Sequence, residues 1–186
     1  EHEFRGLFIN AFLNSSFEVK DTDTIDTLFE NYKSTFNPTN AKGIWSIIET
    51  AVGGDALSIN EIPPELKNLK KIIFYQLCLA IKYCHLKNIT YSDIKLDNVF
   101  LKFVNERGQL ILNGEALTNE MLDPKTPIIA LGDFGMSYTT QHNTRTAAEG
   151  TPGYLSPEML SSELVHSTNS TDIWSLGVIY YKIITK

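Results

Sequence analysis

The most informative segment of this 186-residue chain reads Tyr91-Ser92-Asp93-Ile94-Lys95-Leu96-Asp97-Asn98. It places an aspartate and, five residues later, an asparagine in one polar loop. The aspartate can accept a proton, and the asparagine adds an oxygen of the kind that binds magnesium. Charged loops are also ordinary surface features, so the segment gains its meaning from what surrounds it.

Three further segments follow in the chain. Residues 133–135 read Asp-Phe-Gly after an apolar, strand-like run at 128–131. Residues 150–158 read Gly-Thr-Pro-Gly-Tyr-Leu-Ser-Pro-Glu, and residues 172–177 read Asp-Ile-Trp-Ser-Leu-Gly. Each has an ordinary structural explanation, such as an aspartate that caps the turn after a strand. Four such segments in this order make coincidence a poor explanation.

Together the four segments resemble the signature of the eukaryotic-type protein kinase family, in its serine/threonine class. The resemblance implies an α+β, bilobal kinase-like fold, mostly its helical C-terminal lobe. Residues 1–52 would be the end of the N-terminal nucleotide lobe with the hinge. Residues 53–186 would hold the catalytic loop, activation segment and central helix. It also implies transfer of the ATP γ-phosphate to protein hydroxyls, with ATP and Mg²⁺ as cofactors.

The resemblance assigns roles to individual residues. Asp93 would orient the substrate hydroxyl and accept its proton, and Lys95 would contact the transferring phosphate. Asn98 and Asp133 would hold magnesium against the ATP phosphates. Thr151 would hydrogen-bond Asp93 and Lys95, as is typical of serine/threonine kinases.

The resemblance extends to residues 47–55, which align with the kinase hinge. Ile48 would gate the back of the adenine pocket, and the backbone from Glu49 to Ala51 would meet the adenine edge. Asp55 would lie near the ribose. Glu3, on a segment with helical apolar spacing over residues 3–13, is either the glutamate that pairs with the ATP-binding lysine or an ordinary surface residue.

The sequence departs from the family pattern in three places. No glycine-rich phosphate loop or strand lysine precedes Glu3, so we expect a piece of a longer protein that transfers phosphate poorly alone. Ser92 stands where kinases usually have an arginine that pairs with a phosphorylated activation segment, so we expect no switching through it from Thr144 or Thr146. Third, 35 residues separate Asn98 from Asp133, which indicates an insertion at residues 105–126.

That insertion is either a tolerated surface loop or a docking surface. A second polar stretch at residues 14–26 has the same two interpretations. The apolar periodicity predicts a strand at 44–48 and a long amphipathic helix that starts near Pro63 and reaches Cys84. Strands are predicted at 99–104 and 128–131. The last segment, 172–184, is apolar around most of its circumference, which predicts a helix inside a core.

The overall composition argues against two classes of function, nucleic-acid binding and membrane spanning. The net charge of −6 gives no general attraction to nucleic acid or anionic membranes. The longest apolar run, at 72–81, is too short to span a bilayer. Cys78 and Cys84 point in different directions on a helix, which argues against a disulfide and for an intracellular, cytoplasmic location.

The leading hypothesis is therefore a serine/threonine protein kinase that acts on a protein substrate. A pseudokinase that serves as an interaction scaffold is the alternative, motivated by Ser92 and the two insertions. A kinase-fold enzyme acting on small molecules is a third class, less favoured because residues 150–158 resemble a peptide-binding segment.

Overall fold

The computed structural model describes residues 11–16, 44–48, 54–56, 66, 68–103, 109–112, 115–139, 150–161 and 168–185; in the first two ranges it describes the backbone alone. The chain divides into two compact units. One is Ile9–Thr50, and the other combines Glu1–Phe8 with Ala51–Lys186.

The smaller unit contains an antiparallel strand pair. Strand β1 (Ala11–Ser16) pairs with β2 (Ile44–Ile48), with an irregularity in register between Ala11 and Leu13. The strand predicted at residues 44–48 is confirmed. The end of the helix predicted over residues 3–13 is wrong, because Ala11–Leu13 belong to β1, and the rest of that segment lies outside the described residues. Short apolar runs fit helix and strand alike, and here cross-strand pairing decides.

The polar stretch at residues 14–26, predicted as a loop or insertion, begins as part of a strand. Asn14, Ser15 and Ser16 continue β1 opposite Ser46, Trp45 and Ile44. Backbone hydrogen bonds form the ladder whatever the side chain, so polar residues can extend a strand. The remainder, residues 17–26, lies outside the described part of the chain.

The larger unit is built around helix α1 (Leu69–Leu86), which is 18 residues long. One face is buried: Leu69, Ile72, Ile73, Gln76, Leu77, Ala80, Ile81 and Cys84. The helix starts later than predicted. Leu66 is buried in a 3-10 turn ahead of α1, so the apolar pattern extends beyond the N-terminal end of the α-helix. Pro63 lies outside the described residues.

Both cysteines of the chain lie on helix α1. Cys78 and Cys84 are both free thiols, as their spacing predicts. Burial raises the pKa of both thiols, that of Cys84 to about 12. Of the helices in the described ranges, none combines the length and apolar character that a bilayer crossing requires.

Helix α3 (Asn169–Thr185) packs against α1, with the rings of Phe74 and Tyr180 centred 4.9 Å apart. A short helix, α2 (Pro157–Leu160), precedes it. The helix predicted at residues 172–184 is confirmed, and its face toward α1 and the loops is buried. Several large apolar side chains of α3 are exposed: Ile173, Trp174, Tyr180, Tyr181 and Ile184.

Short strand pairs connect the loops that carry the sequence motifs. Strand β3 (Ile89–Thr90) pairs with β8 (Tyr138–Thr139), and β4 (Val99–Leu101) pairs with β7 (Ile129–Leu131), both antiparallel. β3 enters and β4 leaves the loop at residues 91–98. β7 enters and β8 leaves the segment at 132–137. The two pairings therefore hold these loops side by side.

The segment predicted as an insertion at residues 105–126 lies between β4 and β7, and its described part is folded. Strands β5 (Ile111–Leu112) and β6 (Glu115–Ala116) form a hairpin, followed by a 3-10 turn at Asn119–Met121. Leu112, Leu117 and Leu122 join the main core. The surface-loop interpretation is wrong for these residues, and the docking role stays a prediction.

One side chain of α1 ties the end of this segment to the core. Gln76 is 1% exposed, and its Nε2 donates to the carbonyls of Pro124 at 3.1 Å and Thr126 at 2.7 Å. Its Oε1 accepts a hydrogen bond from Ile128 N at 3.0 Å. The side-chain amide therefore uses both of its N–H donors and one of the two lone pairs on its oxygen. Gln76 thus fixes the backbone that enters β7.

Replacement of Gln76 by leucine should destabilise the fold. The Gln76→Leu side chain leaves one N–H and two carbonyls without this partner, and each buried group left so costs about 1–3 kcal/mol. We expect the free energy of unfolding, measured by urea denaturation, to fall by about 2–4 kcal/mol. Leu77→Met, a volume-conserving change at the adjacent buried position, is the control and should cost less. Equal losses in the two variants would contradict the role given to Gln76.

Candidate active site

The paired strands place the loop at residues 91–98 against the segment that begins at Gly132. Gly132 N donates to Asn98 O at 3.1 Å, and the Tyr91 hydroxyl donates to Gly132 O. Ser137 Oγ donates to Tyr91 O at 3.0 Å. These contacts bring together residues that are far apart in sequence, and they surround the carboxylate of Asp93.

Asp93 is 8% exposed and has donors on both carboxylate oxygens. Thr151 Oγ1 donates to Oδ1 at 2.6 Å, and Lys95 Nζ lies 2.8 Å from Oδ2. Asn98 Nδ2 donates to Asp93 O at 2.9 Å and to Oδ2 at 3.2 Å. Burial opposes the charge, but these hydrogen bonds and the Lys95 charge outweigh it and lower the pKa of the Asp93 carboxyl. The group is therefore an anion at neutral pH.

Lys95 forms the cationic part of the cluster. The hydrogen bond to Asp93 is the main reason why the pKa of the Lys95 ammonium is raised, and the charges of Asp93, Asp97 and Asp133 add to it against some desolvation. Lys95 Nζ also donates to Thr151 Oγ1 at 3.0 Å. The ammonium therefore stays positive and lies beside the Asp93 carboxylate.

The loop that carries Asp93 is held by a buried carboxylate from α3. Asp172 is 1% exposed; its Oδ2 accepts from Tyr91 N at 2.9 Å, and its Oδ1 accepts from Ser92 N at 2.9 Å. His85 Nε2 lies 2.8 Å from the same Oδ2. A buried carboxylate needs such partners. Asp172 thus binds the backbone of the loop at two consecutive residues, and His85 is a further partner that the sequence analysis missed.

Tyr91 fills the core slot below the loop. It is fully buried, and its ring meets that of Phe134 edge to face with centroids 5.0 Å apart. Desolvation, with the charges of Asp133 and Asp93, raises the pKa of its hydroxyl. The hydroxyl therefore stays protonated and acts as a donor to Gly132 O. The aromatic side chain thus fills the space beneath the loop and also supplies a hydrogen-bond donor.

Ser92 adopts a left-handed backbone with φ of 72°. Among the described residues its Oγ is buried without a hydrogen-bond partner. Gly150 passes directly over it: a Cβ on Gly150 would lie 3.4 Å from Ser92 O and 2.7 Å from Leu155 Cδ2. Glycine at this position, where φ is 134°, permits the close approach of residues 150–158 to the loop.

Asp133 follows β7 in a left-handed conformation with φ of 49°, and its Oδ1 accepts from Gly135 N at 3.2 Å. It is exposed, so its carboxylate is accessible. Asn98 uses its Nδ2 on Asp93, which leaves its Oδ1 as an acceptor. An amide oxygen and an accessible carboxylate suit Mg²⁺, which takes few protein ligands and keeps water or phosphate in the others. The described residues hold no cluster of three or more His, Cys, Asp or Glu suited to a metal.

The predicted nucleotide-contacting residues are described only in part. Ile48 ends β2 in the smaller unit, and Glu49 and Ala51 lie outside the described residues. Asp55 forms an isolated antiparallel bridge with Phe100 in β4. The neighbouring Gly54 O accepts from Leu101 N at 2.9 Å. Asp55 therefore lies beside the strand that leaves the catalytic loop.

Other predicted positions lie outside the described residues, namely Glu3, Thr144 and Thr146. His85 and Gln76 are functional contacts that sequence reasoning missed. Both occur in an apolar helix pattern where a lone polar residue gives no sign of its partner. Only the fold brings Asp172, which is 87 residues away, to His85.

Comparison with known proteins finds protein kinases, in agreement with the motifs in the sequence. Residues 31–186 match the sequence model described as protein kinase domain. The chain is 33% identical to ovarian-specific serine/threonine-protein kinase Lok of Drosophila melanogaster over 144 residues, which is 74% of this chain and 26% of that protein. It is 30% identical to serine/threonine-protein kinase Nek1 of Mus musculus over 159 residues, 83% of this chain and 11% of that protein.

A third relative is Aurora/IPL1-related protein kinase 2 of Caenorhabditis elegans. Its identity is 28% over 148 residues, 78% of this chain and 40% of that protein. The chain thus spans 40% or less of the length of these three relatives.

Loss of the Thr151 hydroxyl should raise the pKa of Asp93. Thr151→Val removes a hydrogen bond to the charged carboxylate, and we expect an upward shift in an NMR titration of the Asp93 carboxyl. Because the folded pKa is lowered, the stability from this bond is full above the unfolded value of about 3.9 and is lost as the pH falls. The stability difference between the variant and wild type should therefore shrink toward acid pH. Thr139→Val, at an exposed position in β8, is the control; an unshifted Asp93 in Thr151→Val would contradict the assignment.

Proposed function

Because this chain belongs to the protein kinase family, we propose that it is the catalytic part of a serine/threonine protein kinase that transfers the ATP γ-phosphate to protein hydroxyls. The cluster of Asp93, Lys95, Asn98 and Thr151 carries the proposal. It combines an anionic base, a cation and an amide oxygen within hydrogen-bonding distance of one another.

Phosphoryl transfer depends on positioning and charge stabilisation more than on covalent chemistry by the protein. The substrate hydroxyl oxygen forms a bond to the γ-phosphorus while the bond to the bridging oxygen of ADP breaks. The proton of the hydroxyl passes to the Asp93 carboxylate. That carboxylate is available because its pKa is lowered. Lys95 places its positive charge where the transferring phosphoryl group carries negative charge.

Members of this family generally use ATP and Mg²⁺. In this chain we assign the metal to Asn98 and Asp133, whose oxygens suit a hard cation. When bound, Mg²⁺ neutralises charge on the ATP phosphates. The hydrogen bond from Gly132 to Asn98, at 3.1 Å, supports this assignment because it keeps the two ligands in neighbouring segments.

The nucleotide side of the site is assigned to residues that align with the kinase hinge in sequence. We infer that residues 1–52 form the end of the N-terminal lobe with the hinge and that residues 53–186 form part of the C-terminal lobe. The division of the chain between Thr50 and Ala51 lies close to this boundary and supports it for residues 9–50, whereas Glu1–Phe8 group with the larger unit. Ile48, Glu49, Ala51 and Asp55 would then contact the adenosine.

The substrate class follows from residues 150–158. In kinases the corresponding segment shapes the peptide-binding site, and here Thr151 at its start bonds Asp93. A polypeptide serine or threonine is therefore the proposed acceptor. The names of the relatives Lok and Nek1 agree with this class.

A scaffold that binds partners without catalysis is the second candidate. It is favoured by Ser92, which stands in the position of the usual arginine and has a buried hydroxyl without a partner among the described residues. The Asp93 cluster argues against it, because a pure scaffold has no need of a base, a cation and a hydroxyl arranged in this way.

Removal of the base should abolish phosphate transfer without unfolding. In the full-length protein, Asp93→Asn keeps the size of the side chain, and we expect a loss of about 100-fold or more in transfer from radiolabelled ATP·Mg to dephosphorylated casein. Circular dichroism should show an intact fold. Asp123→Asn, an exposed carboxylate in the insertion, is the control and should stay active.

Full activity in Asp93→Asn would contradict the enzyme assignment. A wild-type protein that neither transfers phosphate nor shows a thermal shift with ATP·Mg would support the scaffold instead. The two candidate functions therefore give different results in the same pair of measurements.

A further inference from the structure

Tyr154 is the anchor between the peptide-side segment and helix α3. It is 6% exposed. Ser175 Oγ donates to Tyr154 O at 2.8 Å, and Lys182 Nζ lies 3.7 Å from the centroid of the Tyr154 ring. Both partners belong to α3, two turns apart. One tyrosine is therefore held at its backbone and at its ring by the same helix.

A stiff turn joins Tyr154 to Thr151. Tyr154 N donates to Thr151 O at 3.1 Å, and Gly153 has φ of 86°. Proline at the second position and a glycine with positive φ at the third are the features of a type II turn. Pro152 has a fixed φ, so few conformations are open to the turn. The position of Tyr154 thus sets that of Thr151.

Thr151 in turn contacts the reacting centre, with its Oγ1 2.6 Å from Asp93 Oδ1 and 3.0 Å from Lys95 Nζ. We propose that Lys182 and Ser175 are positioning residues of the active site, which act through Tyr154 and the Thr151–Tyr154 turn to hold the Thr151 hydroxyl on Asp93. The proposal rests on the protein kinase activity proposed above. Neither residue needs to touch substrate for this role.

Lys182 is the more informative of the two. Ser175 Oγ also lies 3.3 Å from Thr171 O in its own helix, which gives the hydroxyl a competing partner. The Lys182 ammonium attracts the ring face through its charge, so the contact disappears when the charge is removed even if the aliphatic stem stays. Methionine keeps much of that stem, and arginine keeps the charge.

Lys182 and Ser175 should affect the use of the peptide substrate and leave the binding of ATP unchanged. Their contacts lead through Thr151 to Asp93 and Lys95. The backbone around Asn98 and Asp133 is held separately, by the β4–β7 pair and the bond from Gly132 N to Asn98 O. Loosening of the turn therefore weakens the arrangement of Asp93 and the acceptor segment. A residue that only stabilised the fold would lower the melting temperature and leave the kinetic constants of the folded enzyme unchanged.

The test uses the full-length protein with ATP·Mg and dephosphorylated casein. We expect Lys182→Met to lower kcat/KM for casein by about three- to tenfold, with the KM for ATP unchanged. Lys182→Arg should restore most of the loss, because arginine also makes cation–π contacts. Ser175→Ala should show the same split and provides a second variant should Lys182→Met fail to fold.

Lys87→Met is the matched control, since Lys87 Nζ lies 5.4 Å from the centroid of the Tyr83 ring at the far end of α1. It removes a lysine–tyrosine contact without touching Tyr154, and casein kinetics should be unchanged. Wild-type casein kinetics in both Lys182→Met and Ser175→Ala would overturn the positioning role, as would a rise in the KM for ATP as large as the loss in kcat/KM for casein. A wild-type protein that transfers no phosphate would instead overturn the proposed function itself.

Discussion

The buried carboxylate of Asp172 is the contact on which the catalytic loop depends. It accepts hydrogen bonds from two consecutive backbone N–H groups, those of Tyr91 and Ser92, and meets His85 from α1. Two consecutive N–H groups can both point at one carboxylate only when the backbone turns sharply between them. Here the turn occurs at Ser92, whose φ is 72°. The carboxylate on α3 thereby stabilises the loop shape that carries Asp93 into the site.

The short strand pairs and the three helices have separate tasks around this contact. The β3–β8 and β4–β7 pairs align two loops, and α1 provides the core against which they pack. α3 provides Asp172 on the loop side and Ser175 with Lys182 on the side of residues 150–158. One helix therefore supports both the loop that carries Asp93 and the segment whose Thr151 bonds to it. Because α3 contacts both regions, a small set of its side chains is enough to position a site whose residues come from four distant stretches of sequence.

Much of the site could be predicted from the sequence, because its chemistry needs particular residue types at fixed spacing in short local segments. Asp93 and Asn98 share one loop, and Asp133 directly follows a strand, so their proximity needs few assumptions. The strand at residues 44–48 and the body of α1 followed from apolar patterns. The patterns failed at element ends: Leu66 is buried in a 3-10 turn before α1 begins, and Ala11 to Ser16 pair as a strand, because periodicity reports burial and not backbone pairing.

The sequence by itself determined the protein family and the residues to which charge and metal binding are assigned in the proposed site. The tertiary structure alone decided what holds them: Gln76 on the entry to β7, His85 on Asp172, and Lys182 on the Tyr154 ring. It also decided that the segment between β4 and β7 folds into the core through Leu112, Leu117 and Leu122. The physical reason is that a hydrogen bond or ring contact depends on distance in space. A lone polar residue in a helix carries no local sign of a partner that the chain brings back dozens of residues later.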